Sequence, residues 1–125
     1  MAFIVNYMFG KMISAMEKST GRPYDDWRKK YLDWPGLIVV GESEHRDPGG
    51  RFVYLYPSDP DNIMQPYFHS SIGCVEQNDG LLTCTTKNSI YTFSIGDEGL
   101  DDRARQELIM LVSMKAADHG ETENV

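Results

Sequence analysis

The apolar residues of the N-terminal segment, residues 3–18, recur at the spacing of one side of an α-helix. That side comprises Ile4, Val5, Met8, Phe9, Met12, Ile13, Ala15 and Met16. At about 100° per residue it covers roughly half of the circumference, more than the apolar stripe of a typical surface helix. The pattern therefore predicts a first helix that is either sandwiched in the core or buried against another chain.

The next segment, YDDWRKKYLDWPG at residues 24–36, mixes four aromatic rings with three consecutive basic residues. As a helix begun by Pro23 and ended by the Trp-Pro-Gly sequence, it places Tyr24, Trp27, Tyr31 and Leu32 on one side. Its three aspartates balance its three basic residues, which argues against a nucleic-acid surface. We interpret it as a second helix with a core-facing aromatic side, and Arg28 is the one charged residue among those rings.

Residues 37–95 show the shorter periods of β-strands. The run LIVVG at residues 37–41 predicts a central strand, and RFVYLY at residues 51–56 alternates with Phe52, Tyr54 and Tyr56 on one face. The turn-rich segment between them predicts a long hairpin loop. Residues 57–70 contain three prolines and predict a long irregular connection of the kind that is often functional.

Two turns predict a β-meander over residues 71–95. A three-residue loop at Asn78-Asp79-Gly80 would set Cys74 opposite Cys84, and a two-residue turn at Lys87-Asn88 would set Cys84 opposite Tyr91 and Leu82 opposite Phe93. Together the two turns produce one apolar face, which supports the register. That face comprises Ile72, Cys74, Leu82, Cys84, Tyr91, Phe93 and Ile95.

The C-terminal pattern predicts a helix from about Leu100 to Ala117, with acidic residues at its start and Lys115 near its end. Its core stripe comprises Leu100, Ala104, Leu108, Leu111 and Val112, while Ile109, Met110 and Met114 fall outside the stripe. We expect one α+β domain over residues 1–120 and a flexible acidic tail over residues 121–125. The expected architecture is a twisted antiparallel sheet of about five strands, or a small curled barrel, with two N-terminal helices and one C-terminal helix.

Composition narrows the class of protein without naming a function. The 125 residues are 41% hydrophobic and 25% charged, as in ordinary globular domains, and the net charge is −7. This acidic balance argues against direct nucleic-acid binding, and no hydrophobic run reaches the length of a membrane span. With two cysteines and no clear signal peptide, we expect a cytoplasmic protein, in the host cytoplasm if the chain is phage-encoded.

The candidate chemistry is sparse. Opposed cysteines would allow a redox pair, but small buried hydrophobic residues are the simpler interpretation. The histidines and cysteines lack zinc spacings, and no glycine-rich turn leads from a strand into a helix, so we expect neither a metal nor a cofactor. The most site-like cluster is a ligand-pocket candidate on the 57–70 connection, built from Tyr67, His69 and Ser70 together with Arg28.

Acidic and methionine-rich surfaces are the candidates for partner binding. The acids would dock on a basic protein surface, and methionines suit adaptable interfaces, including a homodimer through the Met-rich helix faces. Helix N-terminal chemistry and a solvated loop are the simpler explanation of the acids. The partner-binding candidates are Asp97, Glu98, Asp101, Asp102, Glu42, Glu44, Met110 and Met114.

Three hypotheses for function remain. The first is a non-enzymatic interaction protein that occupies a partner protein's surface, such as a phage or mobile-element inhibitor of a host defence or nucleic-acid-processing machine. The second is a protein that binds or sequesters a small molecule, such as a nucleotide or metabolite. The third is a small enzyme that uses His69 with Asp59 or Asp61.

Overall fold

A computed structural model describes residues 2–43, 50–58 and 67–123, with the backbone alone for residues 2, 3, 112 and 114–123. This part of the chain forms one seven-stranded antiparallel sheet and one α-helix. The strands are β1 (Ala2–Glu17), β2 (Gly36–Ser43), β3 (Arg51–Pro57), β4 (Phe68–His69), β5 (Gly73–Asn78), β6 (Leu81–Thr86) and β7 (Ser89–Ile95). The helix is α1 (Asp102–Glu123), and a short 3₁₀ helix spans Trp27–Tyr31.

The prediction of two N-terminal helices is wrong, and so is that of about five strands. The first predicted helix is β1, whose register against its neighbours slips between Ile4 and Asn6 and again between Met12 and Ser14. Each slip adds one residue to the strand, as a β-bulge does, and so breaks the period of two that identifies a strand. The two bulges, at Val5 and Ile13, spread the apolar residues into a spacing that resembles a helix.

The second predicted helix is limited to the five-residue 3₁₀ helix. The Asp26 side chain caps its start by accepting a hydrogen bond from the Arg28 backbone nitrogen at 3.0 Å. At its end, Asp33 takes a left-handed conformation with φ of 62°, and its nitrogen donates to the Met12 carbonyl at 2.8 Å. The chain is therefore diverted onto β1 after one and a half turns, while Tyr31 is buried as the aromatic pattern predicts.

The long strand β1 links two parts of the sheet. Its first half pairs with β2 and its second half pairs with β7, and the sheet continues through β6, β5 and β3 back to β2. Six strands thus pair around a closed ring, to which β4 is added at β3. Gly10 lies at the changeover, where a Cβ atom would overlap the backbone carbonyl oxygen of Ser94, so only glycine allows the strands to approach this closely.

The interior of the ring is apolar and holds the main core. Its largest fully buried side chains include those of Phe68, Phe93, Met12 and Leu55. A second apolar layer lies on the outer side of β2. There Leu37 and Val39 pack against Leu108 of α1 and against Leu100, which precedes that helix. Strand β2 is therefore buried on both faces, which confirms the prediction that LIVVG forms a central strand.

The predicted register of the meander is confirmed for the β6–β7 hairpin and wrong for the β5–β6 hairpin. The Lys87-Asn88 turn sets Cys84 opposite Tyr91, as predicted. In the other hairpin Asp79 and Gly80 both have positive φ, which makes a two-residue turn, and Cys84 lies opposite Val75. Cys74 is therefore exposed on the outer face while Cys84 is buried inside, so the two thiols point away from each other.

Helix α1 begins close to the predicted position but extends further. It includes residues 121–123 of the predicted tail, and residues 124 and 125 lie outside the described part of the chain. Leu100 and Leu108 are buried, while Ile109 and Met110 are exposed, as the predicted stripe requires. Among the described residues, no helix combines the length and the apolar content needed to cross a membrane.

Candidate functional site

An aromatic surface covers the outer side of β3 and β4, and we call it the aromatic face. Alternation along β3 points its aromatic residues outwards while Val53 and Leu55 enter the core. Strand β4 pairs with β3 through Tyr54 opposite His69, which brings a second row of rings beside the first. The aromatic face comprises Phe52, Tyr54, Tyr56, Tyr67 and His69.

Tyr54 is the centre of the aromatic face. Its ring centroid lies 4.6 Å from that of His69 and 5.6 Å from that of Tyr67, the latter in an edge-on arrangement. Tyr56 continues the row, with its centroid 5.1 Å from that of Tyr67. Tyr67 keeps 49% of its surface exposed, so the face has a supported centre and an accessible rim.

Burial disfavours the charged forms of Tyr54, Tyr56 and His69 on the aromatic face. It raises the pKa of Tyr54, and it raises the pKa of Tyr56 to about 12. Partial burial beside the Tyr54 ring lowers the pKa of His69, so the imidazole is neutral at pH 7. The aromatic face therefore presents uncharged ring faces, ring edges and hydroxyl groups at neutral pH.

The raised pKa of Tyr56 predicts a loss of stability in alkali. The unfolded chain loses this phenolic proton near pH 10, whereas the folded chain keeps it until about pH 12, so the free energy of unfolding falls between these values. We expect Tyr56→Phe to reduce that fall by about 1–2 kcal/mol, allowing for partial solvent screening. Urea unfolding at several alkaline pH values measures it. The half-exposed Tyr7 provides the control, and an equal change in Tyr7→Phe would contradict the prediction.

Ser70 lies inside the protein, away from the rim of the aromatic face. Its Oγ accepts a hydrogen bond from the Val53 nitrogen at 2.8 Å and donates to the Ser71 carbonyl at 2.9 Å. Cys84 Sγ adds a contact to the same oxygen at 3.5 Å. These bonds fix the chain that follows β4, so the described role of Ser70 is structural.

Arg28 also lies apart from His69, on the inner side of β4. Its guanidinium carbon lies 3.9 Å from the Tyr24 ring centroid and 4.6 Å from that of Trp27, and Trp27 stacks on the buried Phe68. Its Nε donates to the Tyr91 hydroxyl at 2.9 Å. The predicted pocket therefore separates into two places, with Tyr67 and His69 outside and Arg28 and Ser70 on the inner side of the sheet.

The acidic residues before and within the first turn of α1 already have structural partners. Arg105 pairs with Asp97 at 3.2 Å and also with Asp102, and Asp101 Oδ1 accepts a hydrogen bond from the Ala104 nitrogen at 2.8 Å. Glu98 is exposed. The cluster is thus partly neutralised locally, as helix N-terminal chemistry explains.

The remaining partner-binding candidates are dispersed. Glu42 lies 3.5 Å from Arg51 in an ion pair between β2 and β3, and Glu44 lies outside the described residues. Met110 is 65% exposed on α1, and the Met114 side chain is not described. Met12 is completely buried in the core, so the N-terminal Met-rich helix face proposed for a homodimer does not exist.

A concave feature lies beside the β6–β7 turn. It is a cleft of about 550 Å³, which we call the basic cleft because three of its seven lining residues carry positive charge. The sequence pattern singled out Arg28 but missed the other two, which come from the ends of separate strands. The lining comprises Glu17, Lys18, Ser19, Tyr24, Arg28, Lys87 and Asn88.

Neither a search for metal-binding side chains nor a comparison with known proteins assigns a chemistry to these sites. Within residues 2–43, 50–58 and 67–123, no group of three or more His, Cys, Asp or Glu side chains is arranged to hold a metal ion. No protein-family model, curated protein or solved structure matches the chain. The function is therefore inferred from the aromatic face and the basic cleft themselves.

Proposed function

We propose that the protein is a non-enzymatic interaction protein that binds a basic segment of a partner protein on the aromatic face. It would act by occupying that part of the partner's surface. The observation that carries the proposal is the cluster of rings around Tyr54, with Tyr67 and His69 exposed at its rim. Tyrosines held by their neighbours lose little side-chain freedom on binding, and they are enriched where interfaces concentrate their binding energy.

The ring faces favour a cationic side chain. Arg and Lys are attracted to the face of an aromatic ring when they lie within about 6 Å of its centroid, and desolvation strengthens the attraction. The lowered pKa of His69 keeps the site free of competing positive charge, and the hydroxyl groups of Tyr54 and Tyr56 stay protonated at neutral pH. A partner's arginine stacked on this face would gain both contact area and electrostatic attraction.

The charge beside the aromatic face favours the same partner. Residues 97–107 hold five acidic residues and two arginines, a net charge of −3 out of −7 for the whole chain. The start of α1 packs on the same side of the sheet, where Ala104 contacts the apolar layer that includes Tyr54 and Tyr56. A groove of about 190 Å³ between Ser58 and α1 is lined by Asp101 and Glu107 and by one arginine, Arg103, which pairs with Glu107. This negative field would steer a basic segment towards the rings.

The test identifies the partner by crosslinking and then measures its binding affinity. A photoreactive aromatic amino acid at Tyr67 would crosslink whatever contacts the rim of the aromatic face in the cells that encode the protein. We expect a protein partner crosslinked through an Arg- or Lys-rich segment. With that partner purified, Tyr67→Ala combined with His69→Ala should weaken binding by about tenfold or more, as the loss of interface anchors does.

The matched control is Leu81→Ala, because Leu81 is 41% exposed and lies on β6, away from the aromatic face. We expect this variant to bind the partner as the unchanged protein does. A crosslinked segment rich in acidic residues would contradict the proposal, and so would equal weakening in the control. Added salt should weaken the complex, since part of the attraction comes from the acidic residues of α1.

A further inference from the structure

We propose that the basic cleft binds a small phosphorylated molecule. This inference is independent of the protein partner, because the basic cleft and the aromatic face lie on different parts of the sheet. The cleft forms where the end of β1, the β6–β7 turn and the segment before the 3₁₀ helix meet. Its volume of about 550 Å³ falls within the range of small-molecule sites.

The charge of the basic cleft is opposite to that of the protein. Three cationic residues and one acidic residue line it, which gives +2, whereas the whole chain has 12 basic and 19 acidic residues. Asp26 pairs with Arg28 from outside the lining, and counting it still leaves +1. Positive charge gathered in a concave surface focuses the field on an anion held inside it.

Arg28 is held in place before any ligand binds. Its guanidinium is stacked against Tyr24 and Trp27, its Nε donates to the Tyr91 hydroxyl, and its Nη1 pairs with Asp26. These contacts fix the plane of the guanidinium and reduce the entropy that a flexible arginine would lose on binding. The Arg28 side chain therefore offers a fixed positive wall to the cleft.

Lys18 and Lys87 are brought together by the pairing of separate strands. The Lys18 backbone nitrogen donates to the Asn88 carbonyl at 2.9 Å, and Lys18 Nζ donates to the Thr86 carbonyl at 3.4 Å. Lys18 is thus attached on both sides of Lys87, which lies between Thr86 and Asn88. Both lysines therefore line the same cleft as Arg28.

A phosphate group matches this arrangement better than a single carboxylate. It carries up to two negative charges and several acceptor oxygens, which suit two lysine ammonium groups and one fixed guanidinium. Ser19 and Asn88 add uncharged hydrogen-bonding groups to the lining. A long polyanion would also meet the −7 charge of the whole chain, so we assign the cleft to a compact ligand.

The experiment is a titration followed by backbone amide NMR, with inorganic phosphate, ribose 5-phosphate and adenosine monophosphate as probes. Sodium chloride at matched ionic strength controls for screening. We expect saturable shifts at Lys18, Ser19, Lys87 and Asn88, and the tightest probe identifies the organic group that the cleft prefers. Lys18→Gln combined with Lys87→Gln should weaken binding by about tenfold or more, since each lysine supplies a charge-assisted contact.

Two further variants make the result decisive. Lys29→Gln removes the same charge at an exposed lysine that pairs with Asp25 outside the cleft, and it should bind the probes unchanged. Lys87→Arg keeps the charge and should bind within about threefold of the unchanged protein. The proposal is overturned if no probe gives saturable shifts at the cleft, or if the double variant binds as well as the Lys29→Gln control.

Discussion

Phe68→Ala is expected to lower the free energy of unfolding by about 3–5 kcal/mol, the range for removing a fully buried aromatic ring. The Phe68 side chain is completely buried, with its ring centroid 4.8 Å from that of Tyr91 and 5.8 Å from that of Tyr31. Trp27 stacks on the same ring at 6.1 Å, and the Phe93 ring centroid lies 6.2 Å away. The cavity left by alanine would remove packing from three elements at once, because these rings belong to β4, β7 and the 3₁₀ helix.

The same substitution should also disturb the aromatic face. Strand β4 has only two residues, Phe68 and His69, and each pairs with one residue of β3. Phe68 anchors this strand in the core while its neighbours Tyr67 and His69 face outwards, so the anchor holds the outer row of rings in place. Loss of the anchor should therefore weaken partner binding without removing any residue of the aromatic face.

Urea unfolding followed by tryptophan fluorescence would measure the loss of stability. The matched control is Tyr67→Ala, which removes a neighbouring aromatic ring that is 49% exposed and should cost at most about 1 kcal/mol. A cost for Phe68→Ala no larger than that of its neighbour would mean that β4 is not anchored in the core as described.

Local sequence patterns predicted the structure correctly where one turn or one short apolar run determines it. The run at residues 37–41 is buried on both faces, because the core inside the ring covers one face and the apolar layer beside α1 covers the other. Its unbroken apolar composition predicts this burial. The Lys87-Asn88 turn fixes the β6–β7 register by its length alone. The period of two placed the three aromatic residues of β3 on one face, but it does not say that this face is the outer one.

Elsewhere an ambiguous turn and two β-bulges made the sequence pattern predict the wrong structure. In the β5–β6 hairpin, Asp79-Gly80 is a recognised two-residue turn, but the preceding asparagine made a three-residue loop equally plausible, and the choice moved every partner of β5 by one position. At the N-terminus, two bulges gave a strand the spacing of a helix. A bulge depends on the neighbouring strands, so a single sequence carries little sign of it.

The basic cleft could not be predicted for a related reason. Lys18 follows β1 and Lys87 lies in the β6–β7 turn, and they meet only because the second half of β1 pairs with β7. Once β1 is interpreted as a helix, no sequence argument brings these two lysines together. Because β1 was predicted as a helix, the prediction missed the basic cleft as well as the strand.

Met12→Lys is the substitution that separates the observed strand from the helix that the sequence pattern suggests. Met12 is completely buried in the core, whereas Ile13, at the bulge, is 42% exposed. A helix with the predicted apolar side would bury both residues. In the strand, a lysine at position 12 must enter the core uncharged or unfold the protein, while a lysine at position 13 reaches solvent.

We expect Met12→Lys to cost about 5 kcal/mol, on the scale of the pKa changes measured for buried lysines, and so to abolish most of the stability of a domain this size. Ile13→Lys should cost less than about 1 kcal/mol, as an exposed substitution does. Circular dichroism and urea unfolding of the two variants measure the difference. Similar costs at both positions would indicate that β1 buries Ile13 as deeply as Met12, and a folded, stable Met12→Lys protein would place Met12 on the surface instead of in the core.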